Sequence, residues 1–260
     1  MTGISERRGL VVQQRDQRLF EEFEVMRVVD REQAKIVAGF GSTTRANARL
    51  LALVRAGLLR RFFLASGKSL YVLSEKGARL AGVPLRSPRR RKDEVLVADF
   101  FIEHQLAVNL IYCAMKYGPI PVQRVQFRRW VAFHEPVTPS IPLIPDGYVE
   151  FTTPAGIVAA FLEVDLGHER GPVWNEKLNH YARFADSGAF ERRFGLKQFR
   201  VLVLANSERR VRSLRKTIAA VTQKVFWFAT LGAVTSQGLF ASVWYRPTGE
   251  TATPFIEERP

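Results

Sequence analysis

Residues 83–94 read Val-Pro-Leu-Arg-Ser-Pro-Arg-Arg-Arg-Lys-Asp-Glu, and no helix or central strand accommodates that string. Each proline removes a backbone donor and biases the residue before it toward extended backbone, and four adjacent cations favour a solvated, stretched chain. A chain of 260 residues interrupted there is expected to fold as two units, residues 1–83 and 95–260, joined by a basic linker at 84–94. With 47% hydrophobic and 25% charged residues, each part can bury a core, and collagen-like, low-complexity and broadly disordered classes are excluded.

The charge is uneven about this break. Cutting at Lys92 leaves 20 Lys+Arg against 8 Asp+Glu before it and 19 against 17 after it, so +12 of the formal +14 falls on the first part. A field of that sign and density suits a polyanion, and a duplex with one negative charge per ~1.7 Å is the commonest. Cys113 is the only cysteine, which excludes an intrachain disulfide and a Cys-based zinc site and fits a reducing compartment. The first 16 residues are polar where a secretory signal needs ~7–15 apolar residues, so a cytoplasmic location is expected. The apolar run 225–234 falls short of the ~20 residues of a membrane span and reads as a buried strand, so no membrane partner is expected.

In the first part, Leu19, Phe20, Phe23 and Met26 recur at helical spacing over residues 14–26. Asp30 has the chemistry of an N-cap for a helix over 31–38, Gly39-Phe-Gly41 that of a turn, and Ser42 that of a cap for a third helix. Along that third helix Ala46, Leu50, Leu53 and Val54 share one face, leaving Thr44, Arg45 and Ala48 opposite with Arg49 on the flank. Gly57 ends it, and 58–64, 65–68 and 69–73 read as strand, turn and strand before a closing helix at 74–81. Helix, helix, turn, helix and basic hairpin is the order of a winged helix-turn-helix, whose third helix enters the major groove. On that reading Arg45 and Arg49 offer bidentate donors to guanine, Thr44 hydrogen-bonds a base edge or phosphate, and Asn47 is a weaker candidate for adenine. Arg60, Arg61 and Lys68 would neutralise phosphates. The basic linker is either a plain joint or an arm that follows the DNA.

The second part begins with a helical pattern over 95–117, stopped by Gly118-Pro119. Strand patterns follow at 122–133, 146–151 and 157–165, then a helix at 172–185, a strand at 199–205, a basic helix at 207–221, and strands at 226–230 and 239–245. The expectation is a mixed α/β unit with a mixed sheet. Asp146 opens one strand of a hairpin, while Glu163 and Asp165 close the next, two apart and therefore on one face. Three such oxygen donors suit Mg²⁺ or Mn²⁺, which binds a scissile phosphate and activates water. The alternative is that these carboxylates pair with Arg170 or Arg183 and have no chemistry of their own.

Pro145-Asp146 followed by Glu163-Val164-Asp165 resembles the PD-(D/E)XK nuclease signature. The wider string from Phe161 through Glu163, Asp165 and His168 to Lys177 and Tyr181 is similar to the replication-relaxation family of plasmids and integrated mobile elements. Residues 58–61, 71–78 and 104–109 resemble it too, and the likeness covers roughly residues 14–205. The resemblance implies an N-terminal winged helix coupled to a restriction-endonuclease-like domain. The signature places a lysine two residues after the acidic ligand, where its ammonium offsets transition-state charge, and this chain has Asp165 there. Lys177 on the next helix is the candidate substitute, and Glu103 on the long preceding helix a candidate further ligand.

Other chemistries find little support. His104, His134, His168 and His180 form no HxxxH pair, Gly39-Phe-Gly41 lacks the remainder of a phosphate-binding loop, and Cys113 lies on an apolar helix face. Two readings stand. One is a double-stranded-DNA-binding protein of a mobile element whose second domain serves dimerisation, as in a homodimer, or regulation. The other is a Mg²⁺-dependent endonuclease or nickase in which Asp146, Glu163 and Asp165 hold the ion and Lys177 assists the water.

Overall fold

A computed structural model describes residues 10–86, 95–167 and 171–257. The linker residues 87–94, and with them most of the 84–94 segment, lie outside the described residues, as do His168 and Arg170. The described chain is mixed α/β, with a three-stranded antiparallel sheet and a five-stranded mixed sheet, and divides into two compact units, residues 1–113 and 114–260. No described helix is long and apolar enough to cross a membrane.

In the first unit α1 (Gln14–Met26), α2 (Arg31–Ala38) and α3 (Thr43–Arg55) are followed by β2 (Leu59–Phe63), β3 (Ser69–Leu73) and α4 (Glu75–Ala81), with a two-residue β1 (Val29–Asp30) completing the sheet in the order β1-β3-β2. The caps are those the side chains predict: Asp30 accepts from the Gln33 amide and Ser42 from the Arg45 amide. Gly39 closes α2 in the left-handed region. Leu19, Phe20, Phe23, Met26, Ala46, Leu50 and Leu53 are all buried, so the periodic faces of the helices meet in one core. Gly77 is needed for contact: a Cβ there would stand 2.2 Å from the Leu58 carbonyl oxygen. The Ser74 hydroxyl donates to that same carbonyl at 2.9 Å while capping Gly77, which ties α4 to the start of β2.

The boundary differs from the one the linker suggests. The long helix α5 (Val95–Tyr117) belongs to the first unit as far as Cys113. Ile102 and Leu106 pack with Val28, Leu64 and Leu70 over one face of the small sheet. Buried Asn109 donates to the Met26 and Val28 carbonyls at 3.0 and 2.6 Å, and Tyr112 donates to Glu22 at 2.5 Å. Polar groups buried at a helix corner must be satisfied, and Asn109 satisfies two of them from 81 and 83 residues away. Nothing in the local sequence pattern of 95–113 announces this return to the first unit.

The second unit is built on the sheet β4-β5-β6-β7-β8, made of β4 (Gln126–Val131), β5 (Gly147–Thr153), β6 (Gly156–Asp165), β7 (Arg200–Ala205) and β8 (Phe226–Thr230). The first three strands pair antiparallel and the last three parallel. Helices α6 (Gly171–Asp186) and α7 (Ala189–Phe194) connect β6 to β7, and α8 (Glu208–Ala219) connects β7 to β8. All three put apolar residues, among them Trp174, Leu178, Tyr181, Phe190, Val211 and Leu214, on the sheet face that carries Phe161, Val201, Val203 and Phe228. The apolar run 225–234 divides at Thr230, which caps α9 (Leu231–Gln237), so only its first half is strand. Residues 239–245 form isolated bridges at Trp244 and Tyr245 rather than the expected strand.

Candidate functional site

The central strand β6 is apolar on both faces, as a covered strand should be, except at its carboxyl end. Glu163 and Asp165 interrupt it there, each 1% exposed. Register places their neighbours. The β5–β6 ladder ends at Gly147↔Leu162, so Asp146 lies one step further on, opposite Glu163 and on the same face. Gly147 permits this corner, because a Cβ would overlap the Trp130 ring at 2.0 Å. Asp146 accepts from the Val164 amide at 2.7 Å.

Glu163 is held from α6: Lys177 donates to Oε2 at 2.9 Å and Tyr181 to Oε1 at 2.6 Å. Lys177 and Tyr181 are four residues apart and so on one helix face. Burial raises the Glu163 carboxyl from 4.5 to about 7; the Lys177 ammonium opposes that rise, and the neighbouring Asp146 charge adds to it. Tyr181 is raised by its own burial and by Glu163. The lysine expected to replace the signature lysine is thus brought against the acidic residue.

Asp165 has a different environment. Its Oδ1 accepts from the Gly167 amide at 2.6 Å, and its Oδ2 from Trp174 Nε1 at 2.6 Å and from Arg210 Nη2 and Nε at 2.7 and 3.1 Å. The carboxylate is neutralised by a guanidinium and used as the anchor between β6, α6 and α8. Asp165 is thereby engaged apart from Asp146 and Glu163, and among the described residues no three His, Cys, Asp or Glu side chains come together to hold a metal. Asp146 and Glu163 remain as a facing pair, which suffices in number for a Mg²⁺ that keeps waters and substrate oxygens as its other ligands. Glu103 is exposed on α5 in the first unit and Arg183 is exposed on α6; among the described residues Lys177 pairs with Glu163 and Arg210 with Asp165, while Arg170 lies outside the described residues. Arg210, 45 residues from Asp165, leaves no trace in the sequence pattern, whereas the Lys177/Tyr181 spacing was available as a signal.

A third buried carboxylate follows the same rule of neutralisation. A bulge between Phe127 and Arg129 lets both Arg128 and Arg129 reach Glu150, at 3.0 and 2.5 Å, while Tyr148 donates to it at 2.7 Å. A cavity of 930 Å³ lies at the start of β6, bordered by Arg124, Arg200, Trp227 and Phe255, and is separate from the end that carries Glu163.

In the first unit α3 leaves Thr44, Arg45 and Ala48 exposed, with Asn47 half-buried beside them. Arg49 turns inward: it bridges buried Asp16 on α1 and the Val11 carbonyl, with its side chain only 15% exposed. The structure therefore does not bring Arg49 onto the exposed α3 face with Thr44, Arg45 and Ala48. On the hairpin, Arg60 and Arg61 point to opposite faces of β2, and Arg60 shares the Phe62 side, over which Ile102 and Leu106 pack. The two therefore do not present one run of charge. Arg61 stands over the exposed Phe63 ring at 5.0 Å. Lys68, half exposed, pairs with Asp30 at 2.5 Å.

These features define a two-unit α/β protein: a helical unit with a basic hairpin, and a mixed-sheet unit with a lysine-carboxylate cluster at the carboxyl end of its central strand. The family description replication-relaxation matches residues 21–198, and the chain belongs to that family, which suggests a role in plasmid or mobile-element replication. No curated protein and no solved structure matches the chain.

Proposed function

We propose that this chain is a double-stranded-DNA-binding protein acting in replication or transcription control of a plasmid or integrated mobile element, inside the cell that carries it. The first unit serves as a winged helix-turn-helix with α3 in the major groove. The observation that carries the reading is the exposed α3 face, where Arg45 can offer a guanidinium fork to guanine O6/N7, Thr44 a hydroxyl, and Ala48 room for close approach. Arg61 and Lys68 on the hairpin supply phosphate contacts. The second unit is read as a PD-(D/E)XK-like domain serving dimerisation or regulation, since its Asp165 is occupied by Trp174 and Arg210. Titrating a duplex by fluorescence anisotropy at rising salt tests this: log K falls linearly with log salt if the chain grips phosphates, and a salt-independent affinity contradicts it.

A second reading is favoured by the Lys177–Glu163 contact facing Asp146. A Mg²⁺- or Mn²⁺-dependent nickase would use Asp146 and Glu163 as ligands and Lys177 to offset charge on the phosphoryl group. Supercoiled plasmid is then nicked in the presence of the metal and left intact by Asp146→Ala; absence of product with both metals from pH 6 to 9 removes this reading.

A further inference from the structure

The boundary at Cys113 alters the charge map. Residues 1–113 hold 20 Lys+Arg against 12 Asp+Glu, and residues 114–260 hold 19 against 13, so the second unit is itself strongly basic. Its surplus is local: residues 183–216 contain ten Lys+Arg and three Asp+Glu. Within that stretch α8 buries Val211, Leu214 and Ile218 against the sheet and folds Arg215 back onto the Arg246 and Gly249 carbonyls. Arg209, Arg212 and Lys216 are exposed on the opposite side, and among the described residues none of the three forms an ion pair. At 100° per residue they fall within about 60° of arc, along about 10.5 Å of helix axis. Three charges over that length match roughly three phosphates of one strand at ~3.4 Å axial rise each. The only carboxylate of α8, Glu208, sits in the first turn, where it complements the helix dipole; it borders the stripe, about 40° from Arg212, and among the described residues forms no ion pair with it.

We propose that Arg209, Arg212 and Lys216 form a second duplex-binding surface, on α8, that grips the phosphate backbone without reading sequence. α8 starts from the carboxyl end of β7, and its first turn is tied to the end of β6 through the Arg210–Asp165 pair. The proposal rests on the reading of the chain as a DNA-binding protein. Its test is the salt dependence of binding of the full chain to a 25-base-pair duplex of random sequence, for the wild type and for the combined Arg209→Ala, Arg212→Ala, Lys216→Ala variant. The slope of log K against log salt becomes shallower by about 2.7, at ~0.9 per lost phosphate contact. A variant with Arg209→Lys and Arg212→Lys keeps the wild-type slope, which separates loss of charge from loss of fold. A wild type that binds with salt dependence, together with an alanine variant of unchanged slope, overturns the α8 surface alone. A wild type without salt-dependent binding overturns both this surface and the DNA-binding reading.

Discussion

The two units carry similar positive surpluses, +8 and +6, and arrange them differently. In the first, one guanidinium is drawn inside to neutralise buried Asp16, while Arg45, Arg61 and Lys68 stay at the surface on α3 and the hairpin. In the second, three buried carboxylates each take cations from another element: Glu150 from Arg128 and Arg129, Glu163 from Lys177, and Asp165 from Arg210. Asp16–Arg49 and Asp165–Arg210 are the same device in two places, a buried carboxylate anchored by a partly buried arginine. Glu163 stands apart, because its partners are an ammonium and a phenol and a second carboxylate faces it. A charged residue in a conspicuous position is therefore either a structural tie or a candidate for chemistry, and the partner distinguishes the two.

The largest expected effect tests the likeness between the two anchors. Asp165→Ala leaves the Trp174 N–H and Arg210 without their acceptor and is expected to destabilise the second unit by about 3 kcal/mol in urea unfolding, with Asp16→Ala doing the same to the first. An Asp165→Ala protein of wild-type stability that has lost metal-dependent nicking would break the likeness and return Asp165 to the catalytic set.

Next comes the contrast between Asp165 and Glu163. The native Glu163 carboxyl titrates near 7 against an ordinary 4.5, so between those values the folded state binds more protons than the unfolded state. The contribution is fully present below about pH 4.5 and is lost as pH rises through about 7, on the order of 3 kcal/mol. Thermal unfolding at pH 5 and pH 8 measures it, and Glu163→Gln is expected to flatten that part of the profile.

Smaller differences separate Arg45 from Arg49. Arg45→Ala is expected to weaken binding to a preferred duplex about tenfold with an unchanged unfolding midpoint. Arg49→Ala lowers the midpoint and leaves the affinity of the folded protein near wild type, because its donors are engaged by Asp16 and Val11. Lys68→Ala is the mildest: a uniform loss across sequences, a salt slope shallower by about 0.9, and a stability change under about 1 kcal/mol, since its pair with Asp30 is half exposed.

Local signals were legible in the sequence wherever the physics is local. Helical periodicity located α1 to α3, the caps at Asp30 and Ser42 follow from short polar side chains before apolar runs, and period-2 alternation put Glu163 and Asp165 on one face. Lys177 stood out in the sequence only through the family resemblance, which places a lysine near the acidic ligands; its contact with Glu163 follows from the packing of α6 on the sheet. Contacts between distant residues were not: Arg49 lies on the flank of α3 in any helical projection, and only the position of α1 turns it inward. Arg210 is hidden from Asp165 in the same way, by 45 residues. The linker marked a break in regular structure, but the ownership of α5 is decided by Asn109 and Tyr112 finding partners in the first unit. Counting charge to Cys113 rather than to Lys92 adds Asp93, Glu94, Asp99 and Glu103 to the first part of the sequence and evens the charge between the two.

The reading of α3 is tested most directly by selecting binding sites from a pool of random duplexes with the wild-type chain and with Arg45→Ala. The wild type should enrich a defined motif containing guanine, and Arg45→Ala should lose the preference at one or two of its positions while keeping the remainder. Enrichment of no motif by the wild type, or of the same motif by both proteins, would contradict a groove-reading α3.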